Sequence, residues 1–412
     1  MMKVSLFFFS ISLLAGCSVK VPVSSIPNPS KTNGSSESTV TKNKWIVVES
    51  EIAIPKLKED FELFFCDNRV FMIPSSGCIV DYKYDTDKNE LNKLETCESL
   101  IYEVTENGLL RMPEIPLNEK PVSLTSWNQK LLLAAEKSEL YNEKEMVSHI
   151  IIYELDETNN SWKVFSPYGF TKEFYPDKKG NGLTYAELGG IKDGPLYLIY
   201  GDPHLKMIAY ENDNWSIAPS EKESEGGIAG HRGQIIKNKF YYSFQDYGHS
   251  NIGPHIKQVD SLGNLEDLGG FPITTATNSN IAFSGDGSQF ILLTANARKD
   301  GENFGRFELR TLKNGSWETM PKDGLPDNLT HYWTYTFNNE HYISARIAPS
   351  SGSVYQAKAS VYKFNGASWI VVGYSNFSTV MPNYPKVFSL KGNIYCVFNE
   401  KDGGYTLMKL IN

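Results

Sequence analysis

Any chemistry in this 412-residue chain has to come from a few scattered side chains. Three of its seven histidines, His231, His249 and His255, fall in one stretch that also holds Asp246. A structural or hydrolytic metal needs three or four N, O or S ligands converging on one point. The spacing of His249 and His255 suits neither one helix face nor one strand face, and both fall in what reads as a loop. Solvated histidines and no metal are therefore expected. His231-Arg232 differs: it lies in Gly226-Gly-Ile-Ala-Gly-His-Arg-Gly-Gln234, at the start of an alternating strand. On a strand that lines a channel, such a pair could hold a polar ligand or serve as an ordinary polar lining.

Of the five cysteines, Cys66 and Cys396 fall on apolar alternating segments and read as small core residues. Cys78 and Cys97 flank the polar stretch Asp81–Thr96, where a disulfide would reduce loop entropy, and form the disulfide candidate. No Cys-x-x-Cys occurs, which argues against a redox or metal motif. Asp85-Thr-Asp87-Lys-Asn89 opens like a calcium loop, but Glu90 stands where glycine is needed and Thr96 where the closing glutamate belongs. No Gly-x-Ser-x-Gly, phosphate loop or dinucleotide fingerprint is present, so no catalytic residue and no cofactor is assigned.

The elements that must position these residues are read from a repeat. Tyr153 to Trp162, Tyr210 to Trp215, Leu312 to Trp317 and Tyr362 to Trp369 share one pattern: an alternating strand, a polar turn, then Trp opening another strand. Weaker copies end at Leu110 and Leu265. The anchors 110, 162, 215, 265, 317 and 369 are separated by 52, 53, 50, 52 and 52 residues. A period near 50 with several short strands per unit is the signature of propeller blades. Within Leu329–Val372 the reading is four strands in a meander, with Asn338-Asn339 and Asn365-Gly366 as turns. The last unit stops one strand short. Lys44-Trp45-Ile46-Val47-Val48 matches Ser368-Trp369-Ile370-Val371-Val372 and would complete it, removing both open sheet edges. The expectation is an all-β, seven-bladed propeller of four-stranded antiparallel blades; six or eight blades stay open because the first unit is irregular. The 23 Tyr, 22 Phe and 7 Trp are assigned mainly to packing between blades.

The pattern resembles kelch-type and galactose-oxidase-like propellers, where a strand ending in Tyr-x-x-x-Asp precedes a turn and Trp. Tyr153 to Trp162 fits best; the kelch double glycine is absent from its place. Gly230-His231-Arg232 resembles a short motif of quinone-dependent sugar dehydrogenase propellers. Ser284-Gly-Asp286-Gly resembles a hairpin turn of TolB-type propellers. The sialidase pattern fails, since Phe71-Met72-Ile73-Pro74 has Met where that family needs its first arginine.

Residues 1–17, MMKVSLFFFSISLLAGC, join Lys3, an apolar run and Leu14-Ala15-Gly16-Cys17. They resemble the signal peptide and lipobox of bacterial lipoproteins. The resemblance implies cleavage before Cys17, lipidation of its thiol and, with Ser18 following, sorting to the outer membrane. The expected organisation is a signal peptide over 1–16, lipidated Cys17 with a flexible tether to residue 43, and a propeller over 44–412. A coil of the tether's length reaches roughly 30 Å.

The net charge of −8 gives no basic footprint for nucleic acid. The expected protein is a monomer tied to a membrane by its lipid. Its propeller would bind a protein partner or a glycan without catalysis, and the competing reading is a carbohydrate-active or quinone-dependent enzyme. Trp127, His231, Arg232, Tyr332 and Trp333 are the candidate binding residues.

Overall fold

The computed structural model describes residues 44–411, leaving out 51–59, 75–81, 86–89, 94–99, 117–118, 143–144, 167–184, 202–205, 219–227, 247–252, 260–262, 271–280, 296–306, 350–355, 379–380 and 401–403. The lipobox, Cys17, the tether, Cys78, Cys97, His249 and the centre of the calcium-like loop lie outside the described residues. The side chain of His231 is also outside them.

Seven four-stranded antiparallel sheets are present. In blades 2 to 6 the strands a, b, c and d follow one another along the chain as a meander. Blade 6 shows the pattern: Leu329–Phe337, Glu340–Ile347, Lys358–Phe364 and Trp369–Val371. The a strands of blades 1 to 7 are Phe61–Cys66, Glu119–Trp127, Tyr185–Gly190, Ile228–Ile236, Ile281–Gly285, Leu329–Phe337 and Pro382–Leu390. They surround the central channel. Blade 7 takes Pro382–Leu390, Asn393–Glu400 and Tyr405–Ile411 from the C-terminus and Lys44–Ser50 from the N-terminus. Lys44 pairs with Ile411 and Trp45 with Leu410, closing the ring as the sequence match with Trp369 implied. Blade 1 was hard to read because the hairpin Tyr82–Asp85 and Glu90–Lys93 is inserted between its second and third strands.

Local chemistry explains the strand pairing. The a–b turns Asn128-Gln129, Lys237-Asn238, Asn338-Asn339 and Lys391-Gly392 have positive φ at both residues. That geometry matches the twist of the two strands and suits Asn and Gly. Between the sheets lie six apolar clusters. At their outer corners five tryptophans repeat one contact, each reaching the preceding blade through Nε1. Trp162 donates to Pro113 O, Trp215 to Ser166 Oγ, Trp317 to Leu268 O, Trp369 to Pro321 O and Trp45 to Val372 O, at 2.6 to 3.1 Å. Each ring buries a large apolar area while its polar edge stays satisfied. Gly189 lets blades 3 and 4 pack closely: a Cβ there would stand 2.5 Å from the Phe240 ring.

Candidate binding site in the central channel

One register position builds the channel centre. In blades 1, 2, 4, 6 and 7 the last a-strand pairs across the turn are Cys66–Arg69, Trp127–Lys130, Ile236–Lys239, Phe337–Glu340 and Leu390–Asn393. Four residues before each of these strand ends stand Glu62, Ser123, Arg232, Trp333 and Lys386. In four of the blades a β-bulge lies immediately upstream, at Pro121/Ser123, Ala229/Arg232, Thr330/Trp333 and Asn383/Lys386. Such bulges re-aim the side chain that follows. Glu187, on the a strand of blade 3, joins the group.

These side chains form one connected network. The Arg232 guanidinium lies over the Trp333 ring, 3.5 Å from its centroid, and Nη2 donates to Leu63 O of blade 1 at 3.3 Å. Blade 4 thereby reaches across the channel to blades 1 and 6. Trp333 Nε1 donates to Val387 O at 3.1 Å. Lys386 Nζ lies 3.2 Å from Glu62 and 3.5 Å from Asp60, donates to Phe61 O, and sits 4.7 Å from the Trp333 centroid. Ser123 Oγ donates to Glu187 Oε2 at 3.1 Å and accepts from Leu188 N at 2.9 Å.

Burial governs the protonation of this network. Glu187 is almost fully buried, and burial together with the Glu62 charge lifts its carboxyl to about 8. Burial lifts Asp60 to about 6 against the pull of Lys386. Burial lowers the Arg232 guanidinium to about 10, opposed by Glu62, Glu187 and Asp60. Near neutral pH the channel centre therefore carries a protonated carboxyl beside a guanidinium.

On the a–b turn side of the Arg232–Trp333 stack a cavity of about 660 Å³ opens. Its walls include Arg232, Trp333, Phe65, Tyr335, Gln234, Thr334 and Ser389, and Arg69, Lys237, Asp286 and Lys391 stand at its rim. The Phe65 and Tyr335 rings lie 5.4 Å apart. Ser284 Oγ, Thr336 Oγ1 and His341 Nδ1 form a chain at 2.9 Å per link. Thr334 Oγ1 and Ser389 Oγ are buried with no hydrogen-bond partner.

The structure brings two of the five sequence candidates, Arg232 and Trp333, into direct contact at the cavity wall. His231 lies one residue upstream, in the bulge. Trp127 sits between blades 2 and 3, where Nε1 donates to Gly194 O at 2.9 Å and the ring packs on Phe165 and Tyr210. Tyr332 packs against the cluster between blades 5 and 6. Neither lines the cavity. His255 corrects one expectation: it lies on a c strand, buried, stacked on Phe244, with Nδ1 3.1 Å from Asp267. No group of three potential metal ligands occurs among the described residues. Cys66 and Cys396 are free and buried. Asp60, Glu62, Ser123, Glu187 and Lys386 were not singled out from sequence. For Glu62, Ser123 and Lys386 the available signal was the register, five residues before the first residue of each two-residue turn.

No family model and no curated protein matches the chain. Solved structures do. The β-propeller domain of the Trilobed protease from Pyrococcus furiosus is 10% identical with a TM-score of 0.42, covering 90% of this chain and 94% of that one. YjhT is 12% identical with a TM-score of 0.42, covering 73% and 97%. An α-L-arabinanase from Penicillium chrysogenum, solved with arabinobiose, is 12% identical with a TM-score of 0.39, covering 70% and 92%. At identities and TM-scores this low, nothing about ligand or activity passes from them to this chain, and the fold rests on the seven sheets themselves.

Proposed function

We propose that the chain is an outer-membrane lipoprotein, lipidated at Cys17, whose propeller binds a compact, hydroxyl-rich ligand such as a glycan fragment in the a–b-turn cavity. One observation carries the reading: a cavity of about 660 Å³, floored by Arg232 and Trp333, is lined by Thr334 and Ser389, whose buried hydroxyls have no protein partner. Its volume suits a small ligand. Unsatisfied buried hydroxyls cost stability unless something pairs with them. Lys44 opens its strand at the end of the propeller that carries the a–b turns. The test is a glycan array followed by calorimetry on the best binder. Thr334→Val with Ser389→Ala should weaken binding about tenfold while leaving stability unchanged or raised. Lower stability with unchanged binding would overturn the cavity as the seat.

A second reading is catalytic. The neutral Glu187 carboxyl beside Glu62 offers an acid and a carboxylate of the kind that glycoside hydrolysis uses. Turnover of chromogenic glycosides, abolished in Glu187→Gln, would establish it; no turnover across a broad panel would leave the binding reading.

A further inference from the structure

At the opposite mouth of the channel, where the a strands begin, blades 6 and 7 place a second cluster. Arg346, on the b strand of blade 6, donates from Nε to Thr330 Oγ1 at 3.3 Å and from Nη1 to Asn383 Oδ1 at 3.1 Å. Both acceptors are neutral. Arg69, Arg111 and Arg310 each pair with a glutamate, and Arg232 has Glu62 and Asp60 as neighbouring charges. Among the described arginines, Arg346 alone has no carboxylate. Burial pulls its guanidinium below its ordinary value, the direction of a cation without a compensating anion.

Beside it, the His331 and Tyr384 rings meet edge to face at 4.8 Å. His331 Nδ1 is buried without a hydrogen-bond partner. Both residues have φ of +46°, inside the a-strand bulges of adjacent blades. Blade 4 has Gly230 at the same distance from its bulge end, the residue that takes such a conformation without steric cost. Strain of this kind on bulky residues collects at ligand sites. Here it turns two rings toward one another beside a half-buried guanidinium.

We infer that this mouth binds an oxyanionic group, in the first place the carboxylate of an acidic sugar or related organic acid, on the fork of Arg346 with His331 and Tyr384 as neighbours. A planar guanidinium pairs with a carboxylate through two parallel hydrogen bonds. The remaining donors of Arg346 supply them, and the His331 imidazole offers a further polar atom. The site lies at the other end of the channel from the cavity and does not depend on it.

The experiment uses the full chain, titrated by calorimetry and NMR with D-glucuronate, D-glucose and inorganic phosphate. Glucuronate should bind and glucose should not. Arg346→Gln should weaken glucuronate at least tenfold, and Arg346→Lys should keep part of the affinity. His331→Gly should raise the melting temperature through relief of strain while weakening glucuronate. Phosphate binding without glucuronate binding would overturn the carboxylate assignment. Equal binding by wild type and Arg346→Gln, with both proteins folded, would overturn the site. The cavity variant Thr334→Val/Ser389→Ala should bind glucuronate unchanged, which separates failure here from failure of the cavity reading.

Discussion

Arg232 lies flat on Trp333, its guanidinium carbon 3.5 Å from the ring centroid, although the two residues come from blades 4 and 6. The contact spans the channel, and the same arginine reaches the Leu63 carbonyl of blade 1. A polar plug thus links blades that share no strand pairing.

Removing that arginine should cost stability. Arg232→Met removes the guanidinium beside Glu62 and Glu187 and uncovers Trp333, leaving Lys386 as the cation of Glu62, with a loss of about 3 kcal/mol. The double variant Arg232→Met/Glu187→Leu should recover most of it. Urea unfolding followed by tryptophan fluorescence reads both. An unchanged single variant would show that the plug does not couple the blades.

The pH dependence follows from Glu187. Its folded value of about 8 lies above the ordinary 4.5, so the folded state holds a proton that the unfolded chain has released. Its contribution to stability is complete below pH 4.5 and is lost as pH rises to about 8. His331 and His341 act oppositely, since burial lowers both to about 4 and the unfolded chain binds more protons between there and 6.5. Their contribution grows as pH rises through that window. The difference between wild type and Glu187→Gln isolates the glutamate: the wild type should lose stability relative to the variant between pH 5 and 8.

The tryptophan corners should be worth similar amounts. Trp369→Ala removes a fully buried ring and should cost about 3–5 kcal/mol. Trp369→Phe keeps most of the apolar area but strands the Pro321 carbonyl, at about 1–2 kcal/mol. Trp45→Ala should cost as much as Trp369→Ala despite its place near the start of the described chain, because it closes the ring. Thermal unfolding of the three variants checks the order.

Cys66 and Cys396 should resist alkylation. Burial raises both thiols far above their ordinary value, suppressing the reactive thiolate. Peptide mapping after iodoacetamide treatment should find both unlabelled in native protein and labelled in urea. Native labelling of either would contradict its core position.

The blades were legible because their markers are local. Trp162, Trp215, Trp317 and Trp369 each follow a short polar turn, and the spacing carries the fold whatever the loops do. The a strand of blade 7 is harder to place from sequence, because pairing begins at Pro382, four residues upstream of Lys386. The bulge at Asn383/Lys386 breaks the alternation there, hiding the upstream half of the strand. The same bulges explain the partial view of the site. Arg232 and Trp333 stood out as unusual residues in a-strand positions. Glu62, Ser123 and Lys386 are ordinary residue types, and their shared level emerges only when register is counted back from the turns. Glu187 escapes even that count, because Gly190 pairs with Leu196 across a longer connection. His255 was misread because the segment around it lacks alternation, while the folded strand is buried along most of its length.

The closing strand has a mechanical consequence. Lys44–Ser50 lies antiparallel along Tyr405–Ile411, and Lys44 is its first residue. A pull applied through Lys44 along the strand axis loads all the paired rungs together, as in shear, instead of unzipping them one by one. Trp45, locked to Val372 of the neighbouring blade, adds a cross-bolt at the point where the load enters. A load entering at Lys44 therefore meets a full set of strand pairs and a bond to the next blade before it reaches the rest of the ring.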